Sequence, residues 1–127
     1  MQIGISSFGE VAPAHVAGQD HAAAQRMQEL LAMAKLADET GLDVLALGEH
    51  HRPDFIISAP EVILAAVAAI TKRIRLSSAV TVLSSVDPVR TFQNFATVDL
   101  ISNGRAEIIA GRGSFIESFP HFGQPQK

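Results

Sequence analysis

Residues 41–80, GLDVLALGEHHRPDFIISAPEVILAAVAAITKRIRLSSAV, decide how the chain folds. The runs DVLALG (43–48) and RIRLSSAVTV (73–82) are short, apolar and bounded by turn chemistry, as strands are. Between them SAPEVILAAVAAI carries the signs of a helix start. Ser58 can cap, Glu61 three residues on can reach back, and Pro60 stands in the first turn, where its missing N–H costs nothing. Strand, helix and strand in this order make one unit of a parallel sheet with a right-handed crossover.

The same alternation continues in both directions. Upstream, QIGISSF (2–8) reads as a strand. From 20 to 40, Met27, Leu30, Leu31, Ala34 and Ala37 recur at steps of three and four and give one apolar face. Gly41 stops that helix, because it takes positive φ without strain. Downstream, Asp87 as cap and Pro88 at the first helical position open a helix over Val89 to Ile101, and Asn103-Gly104 close it. RAEIIAG (105–111) is the fourth strand candidate, and SFIESFPHFGQPQK reads as a long loop. The expected fold is α/β, with parallel strands alternating with helices.

With 127 residues the chain is about one domain's worth of sequence, and 47% hydrophobic residues supply ample core. Net charge is -3, with only 10 Lys+Arg and no basic run, which argues against nucleic acid and against an anionic membrane surface as partner. No apolar stretch is long enough to span a bilayer. The start MQIGISSFGE lacks the pattern of a signal peptide. The absence of Cys excludes disulfides, thiolate catalysis and Cys-ligated zinc. The expectation is a soluble, cytoplasmic protein.

Parallel α/β sheets place their chemistry beyond the carboxyl ends of the strands. Here those ends read SFGE, GEHH, AVTVLSS and GRGSF. In Glu49-His50-His51, adjacent residues leaving a strand point apart, so the two imidazoles do not grip one metal ion, and the HExxH spacing is absent. What remains is a rim histidine able to exchange a proton near neutral pH, against the blander alternative of a polar loop bonded to backbone. In AGRGSF (110–115), glycines flank Arg112, whose guanidinium fork matches phosphate oxygens; a tight turn with a solvated Arg is the equal alternative. The small and hydroxylated SSAVTVLSS (77–85) leaves room for something large and flat, though a buried strand needing small side chains explains it as well.

Taken together, GEHH after the second strand, DPVRTFQNFATVDLISNGRAEIIAGRG (87–113) and SFPHFG (118–123) resemble the luciferase-like flavin monooxygenase family, over essentially the whole length. The resemblance implies a (β/α)₈ TIM barrel that binds reduced FMN, or in some branches a deazaflavin, and oxidises a small-molecule substrate with O₂ and a flavin reductase as partners. Carried over by position, it makes His50 the catalytic histidine and His51 its less direct neighbour. Glu49 becomes a flavin contact, and Arg112 the residue that reaches the flavin phosphate, with Ser114 beside it on the same loop. Ala79 and Val80 fall where the family has a non-prolyl cis peptide behind the isoalloxazine ring, expected cis in the complete barrel and free to relax to trans in an isolated half.

A closed eight-unit barrel takes roughly 250 residues. Residues 1–127 supply only the first four strands, so they are expected to form a single partial domain, the N-terminal half of the barrel. A non-catalytic half barrel acting only by association is therefore the reading from another class. Four strands cut from a barrel leave two open edges, and the helix 60–71 is apolar nearly all round. The family's members commonly pair through this helix and 88–102, so a homodimer through these two helices is expected.

Overall fold

The computed structural model describes residues 1–11 and 22–113. Its elements are β1 (Gly4–Ser7), α1 (Ala22–Glu39), β2 (Val44–Leu47), α2 (Pro60–Ile70), β3 (Arg75–Ser78), β4 (Thr81–Val82), α3 (Pro88–Ser102), β5 (Ala106–Glu107) and β6 (Ala110–Gly111). The main sheet has the order β1-β2-β3-β5, and every pairing in it is parallel. Each new strand joins the side of its predecessor, the order in which the strands of a (β/α)₈ barrel follow one another.

The third and fourth sequence runs are each broken in two. β3 and β4 are separated by Ala79–Val80, whose peptide bond is cis, and β5 and β6 by Ile108–Ile109. The broken-off pieces pair with each other, β4 parallel to β6. The rim thus turns away from the main sheet after Ser78.

Register puts Ile5, Leu45, Leu76 and Ala106 side by side. Leu45 and Leu76, with Leu47 one pleat on, face the helices and are fully buried there. They pack on Leu30 and Ala34 of α1, Ile63, Leu64 and Val67 of α2, and Phe95 and Val98 of α3. Each of the larger side chains contributes about 1.5–3 kcal/mol by leaving water. The alternate residues Ser6, Ala46, Ser77 and Glu107 share the opposite face.

The helix stops behave as the sequence suggests. At the end of α1, Gly41 takes φ +88, and the N–H of Leu42 donates to the Ala37 carbonyl at 3.0 Å. At the end of α3, Asn103 is left-handed, and the N–H of Gly104 donates to the Asp99 carbonyl at 2.9 Å. Both are Schellman closures. The start of α3 is also as expected: Pro88 is at the first position, and Asp87 Oδ1 accepts the N–H of Arg90 at 2.8 Å.

The start of α2 differs. Pro60 keeps Ala59 out of the helical conformation, so Ala59 is the cap residue and Ser58 lies one position too early to cap. No side chain caps this helix. Glu61 instead accepts from Asn94 Nδ2 at 2.9 Å and ties α2 to α3.

Candidate functional site

The carboxyl ends of the strands bring four segments to one rim: Phe8–Val11, Gly48–Ile57, Ala79–Val82 and Gly111–Gly113. The first two are zipped together. Glu10 and Phe55 form an antiparallel bridge. The N–H of Val11 donates to the Asp54 carbonyl at 3.0 Å, and that of Ile56 to the Gly9 carbonyl at 2.9 Å. Gly9 makes this approach with φ +66, and a Cβ there would lie 2.7 Å from the side chains of Ile56 and Ile57.

His50 sits inside the zipped loops, 9% exposed. Its backbone N–H donates to the Ile57 carbonyl at 2.8 Å. Its ring stacks on Phe55 at 4.2 Å between centroids and 20° between planes, while Phe8 meets it edge-on at 5.2 Å and 67°. Arg52 lies 5.6 Å from the Phe55 ring centroid and is itself forked onto Asp54, at 3.0 and 2.7 Å. Two aromatic rings therefore limit how the imidazole of His50 can turn.

Glu49 and His51 form a second unit. His51 Nε2 lies 2.7 Å from Glu49 Oε1, and Glu49 Oε2 accepts the backbone N–H of Val82 at 3.1 Å. The Glu49 side chain is only 4% exposed. His50 and His51 point apart, as neighbours in extended backbone do, His50 to the aromatic rings and His51 to Glu49. By the same alternation residues two apart share a side, and this brings Glu49 and His51 together. The roles of Phe8 and Phe55 had no local signal, since the two come from different loops.

Around the cis peptide, hydroxyl groups hold the two strand pieces together. Thr81 Oγ1 lies 2.8 Å from Ser78 Oγ, which accepts the N–H of Ile109 at 3.2 Å. The half-buried Val80 packs over Gly111, where a Cβ would come within 2.6 Å of Val80 Cγ2. Arg112 follows with an exposed side chain, and its carbonyl accepts from Ser84 Oγ at 3.2 Å. Gly113 has φ +80. Ser114 and the SFPHFG segment lie outside the described residues. Thus Glu49, His50, Ala79, Val80 and Arg112 all lie on the carboxyl-end rim.

Among the described residues no cluster of His, Asp and Glu is arranged to hold a metal ion, and no helix is long and apolar enough to cross a membrane.

The family model of the luciferase-like monooxygenases matches residues 1–127. The N-acetyl-S-alkylcysteine monooxygenase of Bacillus subtilis is 32% identical over 96 residues, covering 75% of this chain and 29% of that protein. The oxygenase component of the flavin-dependent trigonelline monooxygenase of Acinetobacter baylyi is 33% identical over 92 residues, covering 72% and 26%. Among solved structures, monooxygenase RslO1 of Streptomyces bottropensis superimposes with a TM-score of 0.86 at 31% identity, covering 98% of this chain and 37% of that one. The oxygenating constituent of 3,6-diketocamphane monooxygenase from Pseudomonas putida, in complex with FMN, shares the fold at a TM-score of 0.83 and 23% identity, covering 97% and 32%. The chain spans about a third of the length of the curated relatives it matches.

Proposed function

This chain belongs to the luciferase-like monooxygenase family, and from that membership we propose that the full-length protein is a flavin-dependent monooxygenase. It takes reduced FMN and O₂ and oxidises a small organic substrate. The observation that carries the reading is His50, buried on the rim between Phe8 and Phe55, within the Glu49-His50-His51 run on which the resemblance rests.

The residues present suit a flavin. Ala46, Ser77 and Ala79 are small and lead up to the rim, leaving space for a flat ring system. Arg112, exposed beyond β6, offers a guanidinium for a phosphate, and Ser114 is assigned beside it. Ala79 and Val80 are assigned to the back of the ring. Bound reduced flavin supplies the electrons that activate O₂. The chain's own part is to orient, to move a proton and to keep water out. His50 is the proton carrier, since an imidazole works near neutral pH and the two aromatic rings fix its direction. Those rings also exclude water from one side of the site.

Three further assignments follow from this reading. A separate flavin reductase supplies the reduced cofactor, as suggested by a relative named as an oxygenase component. The protein works in the cytoplasm, where such reductant is made. It forms a homodimer through α2 and α3, whose outer faces carry Val62 and Phe92 at 67% and 73% exposure.

The test is turnover by the full-length protein under O₂ with reduced FMN and candidate substrates. His50→Ala is expected to lower the rate about 10²–10⁴-fold, the usual weight of a general acid–base group. A full-length protein that binds no reduced FMN overturns the reading. Absorbance of the cofactor it retains distinguishes FMN from a deazaflavin, the cofactor class of a hydride-transferring alternative.

A further inference from the structure

β4 pairs with β6 through alternate amides: the N–H of Thr81 donates to Ile109 and that of Leu83 to Gly111. The N–H of Val82, between them, points the other way, toward β2. β2 has ended at Leu47, and the last backbone link across this gap is the N–H of Ala79 on the Leu47 carbonyl at 2.7 Å. The acceptor that Val82 finds is a side chain, Glu49 Oε2 at 3.1 Å. The other oxygen of the same carboxylate meets His51 Nε2 at 2.7 Å.

We infer that Glu49 is a positioning residue, which tethers β4 to the β2 rim and fixes the tautomer of His51 rather than contacting a ligand through its carboxylate. The inference deepens the flavin reading and rests on it for the site's purpose. An ionised carboxylate only accepts hydrogen bonds, and a backbone amide only donates. Glu49 Oε2 is therefore taken by Val82, and the His51 nitrogen facing Oε1 must carry a hydrogen. His51 is thereby held with a hydrogen on Nε2. A carboxylate buried to this degree is costly unless donors answer its oxygens, and these two donors do so from two different strand ends. One side chain thus sets both the spacing of the rim between the second and third units and the hydrogen-bonding sense of a rim histidine.

The isosteric change Glu49→Gln separates this role from mere filling of space. A carboxamide offers one acceptor oxygen where two donors need one each. Imidazole ¹H–¹⁵N correlation spectra of the full-length protein, with His51 assigned by comparison with His51→Gln, report which ring nitrogen carries hydrogen. The unsubstituted protein is expected to show His51 as Nε2–H, and an Nδ1–H form there overturns the inference without any variant. In Glu49→Gln, either His51 switches to Nδ1–H or hydrogen exchange at the Val82 amide quickens by about tenfold or more, the equivalent of one hydrogen bond. Both signals unchanged in a folded Glu49→Gln protein overturn it as well. FMN titration of the unsubstituted protein tests the flavin reading separately. A tautomer switch without any flavin binding supports the Glu49 tether and removes the flavin site.

Discussion

Arg105 grips Thr71 twice: Nη1 donates to its hydroxyl at 2.9 Å and Nη2 to its backbone carbonyl at 3.0 Å. The same guanidinium also donates to the carbonyls of Ala68, Ile74 and Ser102. Its five N–H donors are all engaged. The acceptors include carbonyls at the ends of α2 and α3, where a helix leaves them unanswered and a cation is favoured.

Arg105→Lys keeps the charge and loses the fork, because a single ammonium cannot reach acceptors spread over three segments. The expected cost is about 2–4 kcal/mol, two or more hydrogen bonds at the usual value together with their stranded acceptors. Urea unfolding of the full-length protein measures it, and a loss below about 0.5 kcal/mol, the level of an ordinary surface change, refutes the role.

Asp38 performs the matching task at the end of α1. Its carboxylate accepts the backbone N–H groups of Lys72, Arg73 and Ile74 at 2.9, 2.8 and 2.7 Å. Burial alone raises its pKa. The backbone donors of Ile74, Lys72 and Arg73, with the Arg73 charge, outweigh burial and hold it below the ordinary carboxylate value. A pKa lowered on folding stabilises the protein above the unfolded value, about 3.9. That contribution disappears as pH falls through the folded value. Asp38→Asn turns an amide group toward the Lys72 N–H and is expected to cost about 1.5–3 kcal/mol at pH 7. It also flattens stability against pH below about 4. An acid limb identical to that of the unsubstituted protein refutes the assignment.

The contrast between these two residues and the helix boundaries shows what the sequence could reveal. Gly41, Asp87, Pro88 and Asn103-Gly104 act within one turn of themselves, so local chemistry announced them and they stand where expected. Ser58 failed because two local rules competed, and Pro60 prevailed over the capping pair. Asp38 and Arg105 act across more than thirty residues, on backbone groups that no side-chain pattern marks. The site divides the same way. GEHH and GRG were legible as rim segments from strand order alone, whereas the Phe8–His50–Phe55 stack needed two loops to be zipped together first.

Arg112 carries the phosphate assignment. Arg112→Ala in the full-length protein is expected to weaken FMN binding about ten- to a hundredfold, the weight of a hydrogen bond to a charged group. Riboflavin, which lacks the phosphate, is expected to bind as before. Equal losses for both ligands in parallel titrations would falsify the assignment.

Gly48 is a packing prediction with a readout at His50. A Cβ at Gly48 would strike the Phe8 ring and stand 3.0 Å from the Ala79 carbonyl oxygen. Phe8 is 40% exposed and has room to swing outward, so Gly48→Ala is expected to fold with a loss of about 1–3 kcal/mol. The displaced ring no longer meets His50 edge-on, and the imidazole proton resonances shift accordingly. Unmoved His50 resonances would show that Phe8 holds its place by other contacts.

The outer faces of α2 and α3 carry the last prediction. On α3, Val89, Phe92, Ala96 and Leu100 follow one another at steps of three and four, and Phe92 and Leu100 are 73% and 83% exposed. On α2, Val62, Ala66 and Ile70 follow one another at steps of four, and the Glu61–Asn94 hydrogen bond holds the two helices side by side. Contiguous apolar surface of this kind marks an interaction site, and each large side chain buried in it contributes about 1.5–3 kcal/mol. The small Ala66 and Ala96 allow helices to approach closely. A two-fold pairing lets each copy cover the other's stripe. Phe92→Glu points into solvent on the single chain, so its cost falls on association and not on folding. Light scattering of the full-length protein at micromolar concentration is expected to show a dimer that Phe92→Glu converts to monomer, with the far-ultraviolet circular dichroism of the fold retained. A monomeric unsubstituted protein refutes the pairing. A dimer that survives both Phe92→Glu and Val62→Asp moves the interface off these helices.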